Sequence, residues 1–321
     1  MTVALLFSPQ GSQSVGMGRD LAEAWADAAA VYARADATLG WSVSEVAWIG
    51  PEDRLNQTQQ TQPCLVTTSL ACLAALHAAA ARSGHVLEPA FVAGHSVGEY
   101  AALVAAGVLS APDAIRLVAR RGALMGAAQV DGGMAAVMGL ERDSVGAVIG
   151  DVAGPTDLVV ANDNAPGQVV ISGTRDALLT AEETLKAAGA RRVIPLPVSG
   201  PFHSPWMAEI SDELAAAFED VAWSDAAPPV VSNVTAEPVT DADRIRNLLA
   251  EQVRSPVEWV ASVRRMVTDG VDTFIECGPG SALTGMVKRI APEARTLNVS
   301  DVATLDATVA ALRAVPAETL A

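Results

Sequence analysis

The chain is poor in aromatic residues and in positive charge, and both shortages narrow what the protein can be. Aromatic residues make up 4% of the 321 residues although 50% are hydrophobic, so the apolar content is mainly alanine, valine and leucine. That mixture is typical of Val-rich strands alternating with Ala/Leu-rich helices around a sizeable core. Lys and Arg number 21 against 37 Asp and Glu, a formal net charge of −16. Such a surface repels phosphate backbones and anionic membranes, so we expect neither partner.

Cysteine is also scarce, and no targeting segment stands out. The three cysteines Cys64, Cys72 and Cys277 are widely spaced, with no CxxC pair and no Cys/His cluster. This argues against a disulfide framework or a structural zinc, and we expect no metal and no cofactor. The N-terminus lacks the charged start and long apolar run of a signal peptide, and we expect no apolar run long enough to span a bilayer. We therefore predict a cytoplasmic protein.

The first part of the chain has the pattern of an α/β domain. Val3–Phe7 has the length and apolarity of a buried strand, and Cys64–Ala81 predicts a helix rich in alanine and leucine. A second strand is predicted over Ala90–Ala93, followed by a helix over Glu99–Ala106. A further helix is predicted from Ser110, which has the residue type of an N-cap, to about Met125.

The middle of the chain predicts a small subdomain of a different kind. The predicted order of strands and helices is βαββαβ, which is the split pattern of a ferredoxin-like unit. Its elements are predicted at Met134–Gly139, Arg142–Ile149, Leu158–Asn162, Gln168–Ser172, Arg175–Ala188 and Arg192–Pro197. We assign residues 131–198 to this subdomain, and residues 1–130 with 199–321 to a large catalytic domain.

The last part returns to the pattern of the large domain. Val230–Asn233 and Thr273–Glu276 predict strands, with helices between them and after Gly278-Pro279-Gly280. A closing helix is predicted over Ala303–Val315.

A nucleophilic serine is indicated by Gly94-His95-Ser96-Val97-Gly98. G-x-S-x-G is the pattern of the nucleophile elbow, a sharp turn from strand to helix that exposes the serine, and its glycines avoid crowding at the turn. An apolar strand precedes this segment and an Ala-rich helix follows it. An ordinary Gly/Ser turn is the alternative, but this context favours Ser96 as a nucleophile.

A serine nucleophile needs a base, and the chain has four histidines. His77 lies within an Ala/Leu-rich helix, and His85 lies at a helix end where capping explains it. His95 adjoins Ser96 and would point away from it in an elbow. His203 remains, in a turn after a predicted strand, and is the candidate base.

These segments resemble the malonyl-CoA:acyl carrier protein transacylase family over the whole chain. Gly94-His95-Ser96-Val97-Gly98-Glu99-Tyr100 is similar to its GHSxGEY signature. The other matching segments, in chain order, are Pro9-Gln10-Gly11-Ser12-Gln13, Gln62-Pro63, Arg121-Gly122, Asn162 to Gln168, Pro201-Phe202-His203, Gln252 with Ser255-Pro256-Val257-Glu258-Trp259, and Gly278-Pro279-Gly280.

The resemblance implies a fold and an activity. The fold would be an α/β-hydrolase-like core with a central parallel sheet and an inserted ferredoxin-like subdomain. The activity would be transfer of a malonyl group from coenzyme A to the phosphopantetheine thiol of an acyl carrier protein through an acyl-serine, either in fatty-acid synthesis or as a free-standing polyketide acyltransferase. The resemblance implies no cofactor, and we expect a monomer.

The resemblance also assigns roles within the site. Catalytic roles fall to Ser96, to His203 and to Gln252, which would orient the histidine through a backbone carbonyl or its amide. The oxyanion donors would be the N–H groups of Gln10 and Val97. Substrate contacts would come from Arg121, Gln62, Phe202 and His95.

Arg121 matters most for specificity, because a guanidinium binds a free carboxylate through two parallel hydrogen bonds. The alternative is that Arg120 and Arg121 form a solvated basic pair, and we expect Arg120 to do only that. The chain departs from the family at Ser8-Pro9, where Pro-Gly is usual, which predicts a reshaped loop that keeps the Gln10 N–H. Transfer of another acyl group, serine hydrolase or thioesterase activity on acyl carriers, and a non-catalytic carrier-binding role remain alternatives.

Overall fold

A computed structural model of the chain describes residues 1–128 and 130–313, and within these ranges it contains ten strands and fourteen α-helices. The strands are β1 (Val3–Phe7), β2 (Phe91–Gly94), β3 (Gly132–Met138), β4 (Leu158–Ala165), β5 (Gln168–Thr174), β6 (Arg192–Pro195), β7 (Val230–Val231), β8 (Pro238–Val239), β9 (Thr273–Cys277) and β10 (Arg295–Val299). The helices are α1 (Arg19–Ala24), α2 (Ala26–Leu39), α3 (Val43–Trp48), α4 (Glu52–Leu55), α5 (Thr58–Arg82), α6 (Glu99–Ala105), α7 (Ala111–Gly126), α8 (Arg142–Val152), α9 (Arg175–Ala187), α10 (Ala208–Phe218), α11 (Ala242–Gln252), α12 (Trp259–Thr268), α13 (Ala282–Ile290) and α14 (Val302–Arg313).

The larger sheet has the strand order β10-β9-β1-β2-β7-β8. β10, β9, β1, β2 and β7 run parallel, as predicted, and every residue of β1 is buried because helices cover both faces. The edge strand β8 differs: it pairs antiparallel with β7 through a turn in which Ser232 accepts a hydrogen bond from the N–H of Ala236. Because the chain turns at Ser232, β7 is shorter than the predicted strand Val230–Asn233. β10 was not predicted from the sequence.

The smaller sheet is antiparallel and has the order β4-β5-β3-β6. With α8 and α9 the chain order is βαββαβ, and the first strand lies between the third and the last, which is the ferredoxin-like arrangement predicted from the sequence. This sheet and its helices lie within residues 131–198. The division of the chain into a large domain and a subdomain at these residues stays a prediction.

Helix α5 is the central helix of the larger unit. It begins at Thr58, earlier than the predicted Cys64, and continues through Pro63 because burial of the turn around Thr61 and Gln62 outweighs one lost backbone bond. Contrary to our expectation, its length and apolarity are those of a membrane span. Most of its apolar stretch is nevertheless buried inside the protein, as in the core helix of a globular fold.

The two sheets meet along β4. Its residue Asn162 forms a parallel bridge with Val257, and the N–H of Asp163 donates to the Val257 carbonyl oxygen at 3.0 Å. Next to this bridge, Arg142 on α8 forms an ion pair with Glu258. These contacts fix the smaller sheet over the carboxyl ends of β1 and β2, where a cleft opens between the two sheets.

The closing helix is confirmed as α14, which ends at Arg313. The last predicted residue, Val315, lies outside the described residues.

Candidate active site

Ser96 stands on a sharp turn between β2 and α6. Its backbone is in the left-handed region, with φ 51°, a strained conformation for a residue with a side chain. A Cβ on Gly94 would collide with the Gly98 carbonyl group, and one on Gly98 would collide with the Phe7 carbonyl oxygen. The glycines at these two positions therefore make the turn possible, and the predicted nucleophile elbow is present.

Asn233, which follows β7, holds the turn in place. Its Oδ1 accepts a hydrogen bond from the Ser96 N–H at 2.6 Å, and its Nδ2 donates to the Gly94 carbonyl oxygen at 2.7 Å. Its side chain is fully buried. Sequence reasoning missed this residue, although its position at the end of the predicted strand Val230–Asn233 was the available signal.

His203 lies beside the serine, as predicted. Its Nε2 is 2.7 Å from Ser96 Oγ, while its Nδ1 is 2.9 Å from the carbonyl oxygen of Gln252 and 3.2 Å from that of Ser255. Because carbonyl oxygens only accept hydrogen bonds, Nδ1 carries the proton and Nε2 can accept the one on the serine. Of the two ways in which Gln252 was expected to orient the histidine, the backbone carbonyl is the one observed.

The environment of His203 keeps it uncharged. Burial, together with the cationic Arg121 nearby, lowers the pKa of this imidazole to about 3. The ring therefore remains neutral throughout the physiological range, which is the form that can take a proton from Ser96.

Arg121 is 1% exposed and projects from α7 into the same site. Its Nη1 donates to Gln62 Oε1 at 2.9 Å, and its Nη2 lies 3.0 Å from Gln252 Oε1 and 3.1 Å from Ser96 Oγ. Among the described residues it has no ion pair, and its Nε is buried without a hydrogen-bond partner. The site thus presents a desolvated guanidinium beside the serine hydroxyl.

Arg120, by contrast, is solvated as predicted. Its side chain is half exposed and pairs with Glu213 on α10, with Nη2 2.7 Å from Oε2. Of the two adjacent arginines, one therefore lies at the surface and the other inside the site.

A cavity of about 290 Å³ opens in front of these groups. From the larger unit it is lined by Gln10, Ser96, Arg121, Met125, Phe202 and His203. From the smaller sheet it is lined by Met134, Asn162, Asn164 and Val170. Its wall therefore combines one cation and one nucleophile with a mainly apolar surface, which is typical of a small-molecule site.

The side chains of Gln62 and His95 do not contact Ser96. Gln62 is fully buried behind Arg121, and its Nε2 is 3.4 Å from Gln10 Oε1, so it braces the guanidinium and is not part of the cavity wall. His95 lines the cavity but points away from the serine, with Nε2 2.7 Å from Asn164 Oδ1 on β4. Burial lowers the pKa of His95 to about 4, so this ring is neutral too.

The remaining predicted positions agree with their expected surroundings. Val97 is buried in the middle of the turn Ser96–Gly98, directly after the nucleophile. His77 is exposed on α5, and His85 Nδ1 lies 2.9 Å from the Ser83 carbonyl oxygen at the end of that helix. Neither histidine approaches the cavity.

Glu99 is a second residue that sequence reasoning did not assign. It is 3% exposed at the start of α6, and its Oε2 accepts a hydrogen bond from Gln252 Nε2 at 2.5 Å. The same Nε2 donates to the Ser96 carbonyl oxygen at 2.9 Å. The Gln252 side chain therefore links the nucleophile turn, the buried carboxylate and Arg121.

Comparisons with known proteins agree with this geometry. Residues 4–311 match the family model described as acyl transferase domain. The malonyl CoA-acyl carrier protein transacylase of Bacillus subtilis (strain 168) is 41% identical over 314 residues, which is 97% of each chain, and that of Escherichia coli (strain K12) is 41% identical over 289 residues, covering 89% of this chain and 92% of the other.

Solved structures are equally similar. An acyl carrier protein S-malonyltransferase from Vibrio cholerae O1 biovar eltor superposes with a TM-score of 0.91 at 41% identity, covering 96% of this chain and 100% of the other. A malonyl-transacylase solved in complex with its type II PKS acyl-carrier protein superposes with a TM-score of 0.91 at 38% identity, covering 97% and 100%. The chain therefore belongs to the family of malonyl CoA-acyl carrier protein transacylases, built on an acyl transferase domain.

Proposed function

We propose that this protein transfers a malonyl group from coenzyme A to the phosphopantetheine thiol of an acyl carrier protein through an acyl-serine intermediate. The observation that carries the proposal is the 3.1 Å distance between Arg121 Nη2 and Ser96 Oγ inside the cavity. A buried guanidinium beside a nucleophile suits an acyl group that ends in a carboxylate.

The first half-reaction loads the serine. Ser96 Oγ attacks the thioester carbonyl carbon while His203 Nε2 takes the hydroxyl proton. The new C–O bond forms, the C–S bond breaks, and the departing coenzyme A sulfur receives the proton from His203. The carbonyl oxygens of Gln252 and Ser255 steady the imidazolium without placing a full negative charge beside an anionic substrate.

The tetrahedral intermediate requires two donors for its oxyanion. We assign these to the backbone N–H groups of Gln10 and Val97, since Gln10 lines the cavity and Val97 directly follows the nucleophile. Loss of one such donor costs on the order of 3 kcal/mol in the transition state.

Selectivity for a carboxylated acyl group follows from the surroundings of Arg121. Gln62 and Gln252 hold its guanidinium by hydrogen bonds to Nη1 and Nη2, so its orientation is fixed before substrate arrives. A neutral acyl chain would leave this buried cation without a carboxylate, which disfavours it. Phe202 forms part of the apolar wall next to the histidine.

The second half-reaction runs the same steps in reverse, with the carrier thiol as the attacking group. The phosphopantetheine thiol attacks the malonyl-serine ester, His203 accepts the thiol proton, and the Ser96 oxygen leaves with that proton. In both half-reactions the nucleophilic serine, the base and the oxyanion donors are groups of this chain. We propose that the protein works without metal or cofactor, as a monomer in the cytoplasm.

Intact-protein mass spectrometry tests the proposal. The protein is mixed briefly with malonyl-, methylmalonyl- or acetyl-CoA, and holo acyl carrier protein is then added to chase the label. We expect a malonyl adduct that is absent in Ser96→Ala and that moves to the carrier. An adduct lost to water equally fast with and without carrier would indicate a hydrolase, and no malonyl adduct at all would exclude the proposed transfer.

A further inference from the structure

A buried carboxylate lies one side chain away from the substrate-binding arginine. Glu99 Oε2 accepts a hydrogen bond from Gln252 Nε2 at 2.5 Å, and Gln252 Oε1 accepts one from Arg121 Nη2 at 3.0 Å. The amide of Gln252 thus connects the two charges in a fixed order. Its nitrogen faces the carboxylate and its oxygen faces the guanidinium.

Glu99 lies close enough to Arg121 for the two charges to act on each other. Arg121 has no direct ion pair within the described part of the chain, and both side chains are almost fully buried. A buried cation without a nearby anion is unfavourable, so a carboxylate held through a neutral amide compensates it while leaving the guanidinium free for substrate.

Apart from Arg121, the charged residues of α7, which packs against α6, form ion pairs at the surface, Asp113 with Arg116 and Arg120 with Glu213. Tyr100 is next to Glu99 on the same helix, and burial raises the pKa of its phenol far above neutral. On α5, burial also raises the pKa values of Cys64 and Cys72. Strands β1 and β2, which pack against α6, contain no titratable side chain. Among the described residues, Glu99 is therefore the carboxylate that faces Arg121, through the side chain of Gln252.

Burial raises the pKa of Glu99 to about 7, although hydrogen bonds from Gln252 and the Asn233 backbone and the charge of Arg121 act in the opposite direction. Its carboxyl group is thus divided between its charged and neutral forms at neutral pH. When the carboxylate of an acyl group binds the same arginine, the neutral form of Glu99 is favoured, because two like charges sharing one cation repel each other.

We propose that Glu99 is the internal counter-charge of the acyl site and takes up a proton when a carboxylated acyl group is loaded beside Arg121. This inference rests on the proposed malonyl transfer. Before loading, the guanidinium is balanced by Glu99 through Gln252. After loading, the malonyl carboxylate balances it directly, and Glu99 becomes protonated.

The proton balance of loading makes this uptake measurable. The hydroxyl proton of Ser96 passes through His203 to the departing coenzyme A sulfur, and a thiol with a pKa near ~8.5 keeps that proton at pH 7. Loading a neutral acetyl group therefore exchanges no net proton with solvent. Loading malonyl takes up a net fraction of a proton per site, because it completes the protonation of Glu99.

The pH dependence has a defined direction. Because malonyl loading binds a proton at Glu99, its equilibrium constant is largest below pH 7. Above pH 7 this constant falls by up to about tenfold per pH unit, until the pH reaches the raised pKa of Glu99 in the loaded state. The pKa of His203 is about 3 and that of His95 about 4, so neither titrates between pH 6 and 8. Acetyl loading should be flat over this range.

The experiment measures proton uptake and adduct formation together. The whole protein is mixed with excess malonyl-CoA at pH 7 in weakly buffered solution containing a pH indicator, and the adduct is counted by mass. We expect net proton uptake on malonyl loading in wild type, none with acetyl-CoA, and none in Glu99→Gln.

Glu276→Gln is the matched control. Glu276 is also fully buried with a raised pKa, but it accepts hydrogen bonds from the backbone N–H groups of Leu283 and Thr284, not from Gln252. This variant should keep the uptake of wild type.

The outcomes distinguish a failure of the inference from a failure of the proposed function. A malonyl adduct that forms without proton uptake in wild type overturns the inference and leaves the transfer intact, and so does uptake that persists in Glu99→Gln. Absence of the adduct contradicts the transfer itself. If Glu99→Gln does not fold, the wild-type comparison of malonyl-CoA with acetyl-CoA decides alone.

Discussion

The two sheets contribute to the cavity in different ways. The larger unit supplies the nucleophile, the base and the cation, and Ser96, Arg121 and His203 are each held by hydrogen bonds to residues far away in the chain. The smaller sheet supplies apolar wall residues such as Met134 and Val170, together with the amides of Asn162 and Asn164. Reacting groups are concentrated on one side, and the covering surface comes from the other.

Because of this difference, substitutions in the larger unit should affect the reaction itself, and substitutions in the smaller sheet should affect how well the substrate fits the cavity. In the larger unit, Asn233 holds the nucleophile turn from a fully buried place outside the cavity wall, so an unpaired partner there has no substitute. The amides of the smaller sheet face the cavity, where water can replace a lost hydrogen bond. Substitutions on the two sides should therefore differ in size, and the four below run from the largest expected effect to the smallest.

Loss of the base should have the largest effect. His203→Ala removes the imidazole whose Nε2 lies 2.7 Å from Ser96 Oγ and can take its proton. The rate of malonyl loading, measured by mass spectrometry under single-turnover conditions, should fall by a factor on the order of 10⁴. His77→Ala, on the exposed side of α5, should load at the wild-type rate. A loss smaller than tenfold in His203→Ala would mean that another group is the base.

The adjacent arginines provide the next test. Arg121→Ala should slow malonyl loading by on the order of a hundredfold, because a desolvated charge pair is lost, and should leave acetyl loading nearly unchanged. Arg120→Ala removes an exposed pair with Glu213, worth at most about 1 kcal/mol, and should change neither rate. Equal losses for malonyl and acetyl would show that Arg121 supports the fold and does not select the substrate.

Asn233 tests how the nucleophile turn is held. Asn233→Ala leaves the Ser96 N–H and the Gly94 carbonyl oxygen without their partner in a place that water does not reach. We expect the free energy of unfolding to fall by about 1–3 kcal/mol in urea titration, with slower acyl loading. An unchanged urea midpoint would show that the glycines alone maintain the turn.

Asn164 on the smaller sheet should give the smallest effect. Asn164→Ala removes the acceptor of His95 Nε2, but both residues line the cavity and water can take its place. We expect a loss of about 1 kcal/mol in the free energy of unfolding and less than tenfold in the loading rate. An effect as large as that of Asn233→Ala would contradict the contrast drawn between the two sheets.

Much of the fold could be predicted because it is encoded by neighbouring residues. The apolar run Val3–Phe7 and the βαββαβ order depend on local periodicity, and both are confirmed. The edge hairpin was missed because two-residue strands such as β8 leave no periodic signal. Membrane-like apolarity in α5 was misjudged because hydropathy alone does not separate a core helix from a membrane span.

The site was predictable where its chemistry follows from a short motif. Gly94 and Gly98 specify the elbow, since any side chain there collides with backbone, and so place Ser96 at its tip. The choice of His203 depended on eliminating the other histidines and on the family motif. The structure adds its 2.7 Å contact with Ser96 Oγ.

The sequence by itself determined the order of helices and strands, the nucleophile turn and the family, because periodicity and backbone sterics act between residues close in the chain. Only the tertiary structure decided that Gln252 offers its backbone to His203 and its side chain to Arg121, that Asn233 holds the nucleophile turn, and that Glu99 lies behind Gln252. These arrangements join residues widely separated in sequence, and their hydrogen bonds and charges exist only once packing has excluded water.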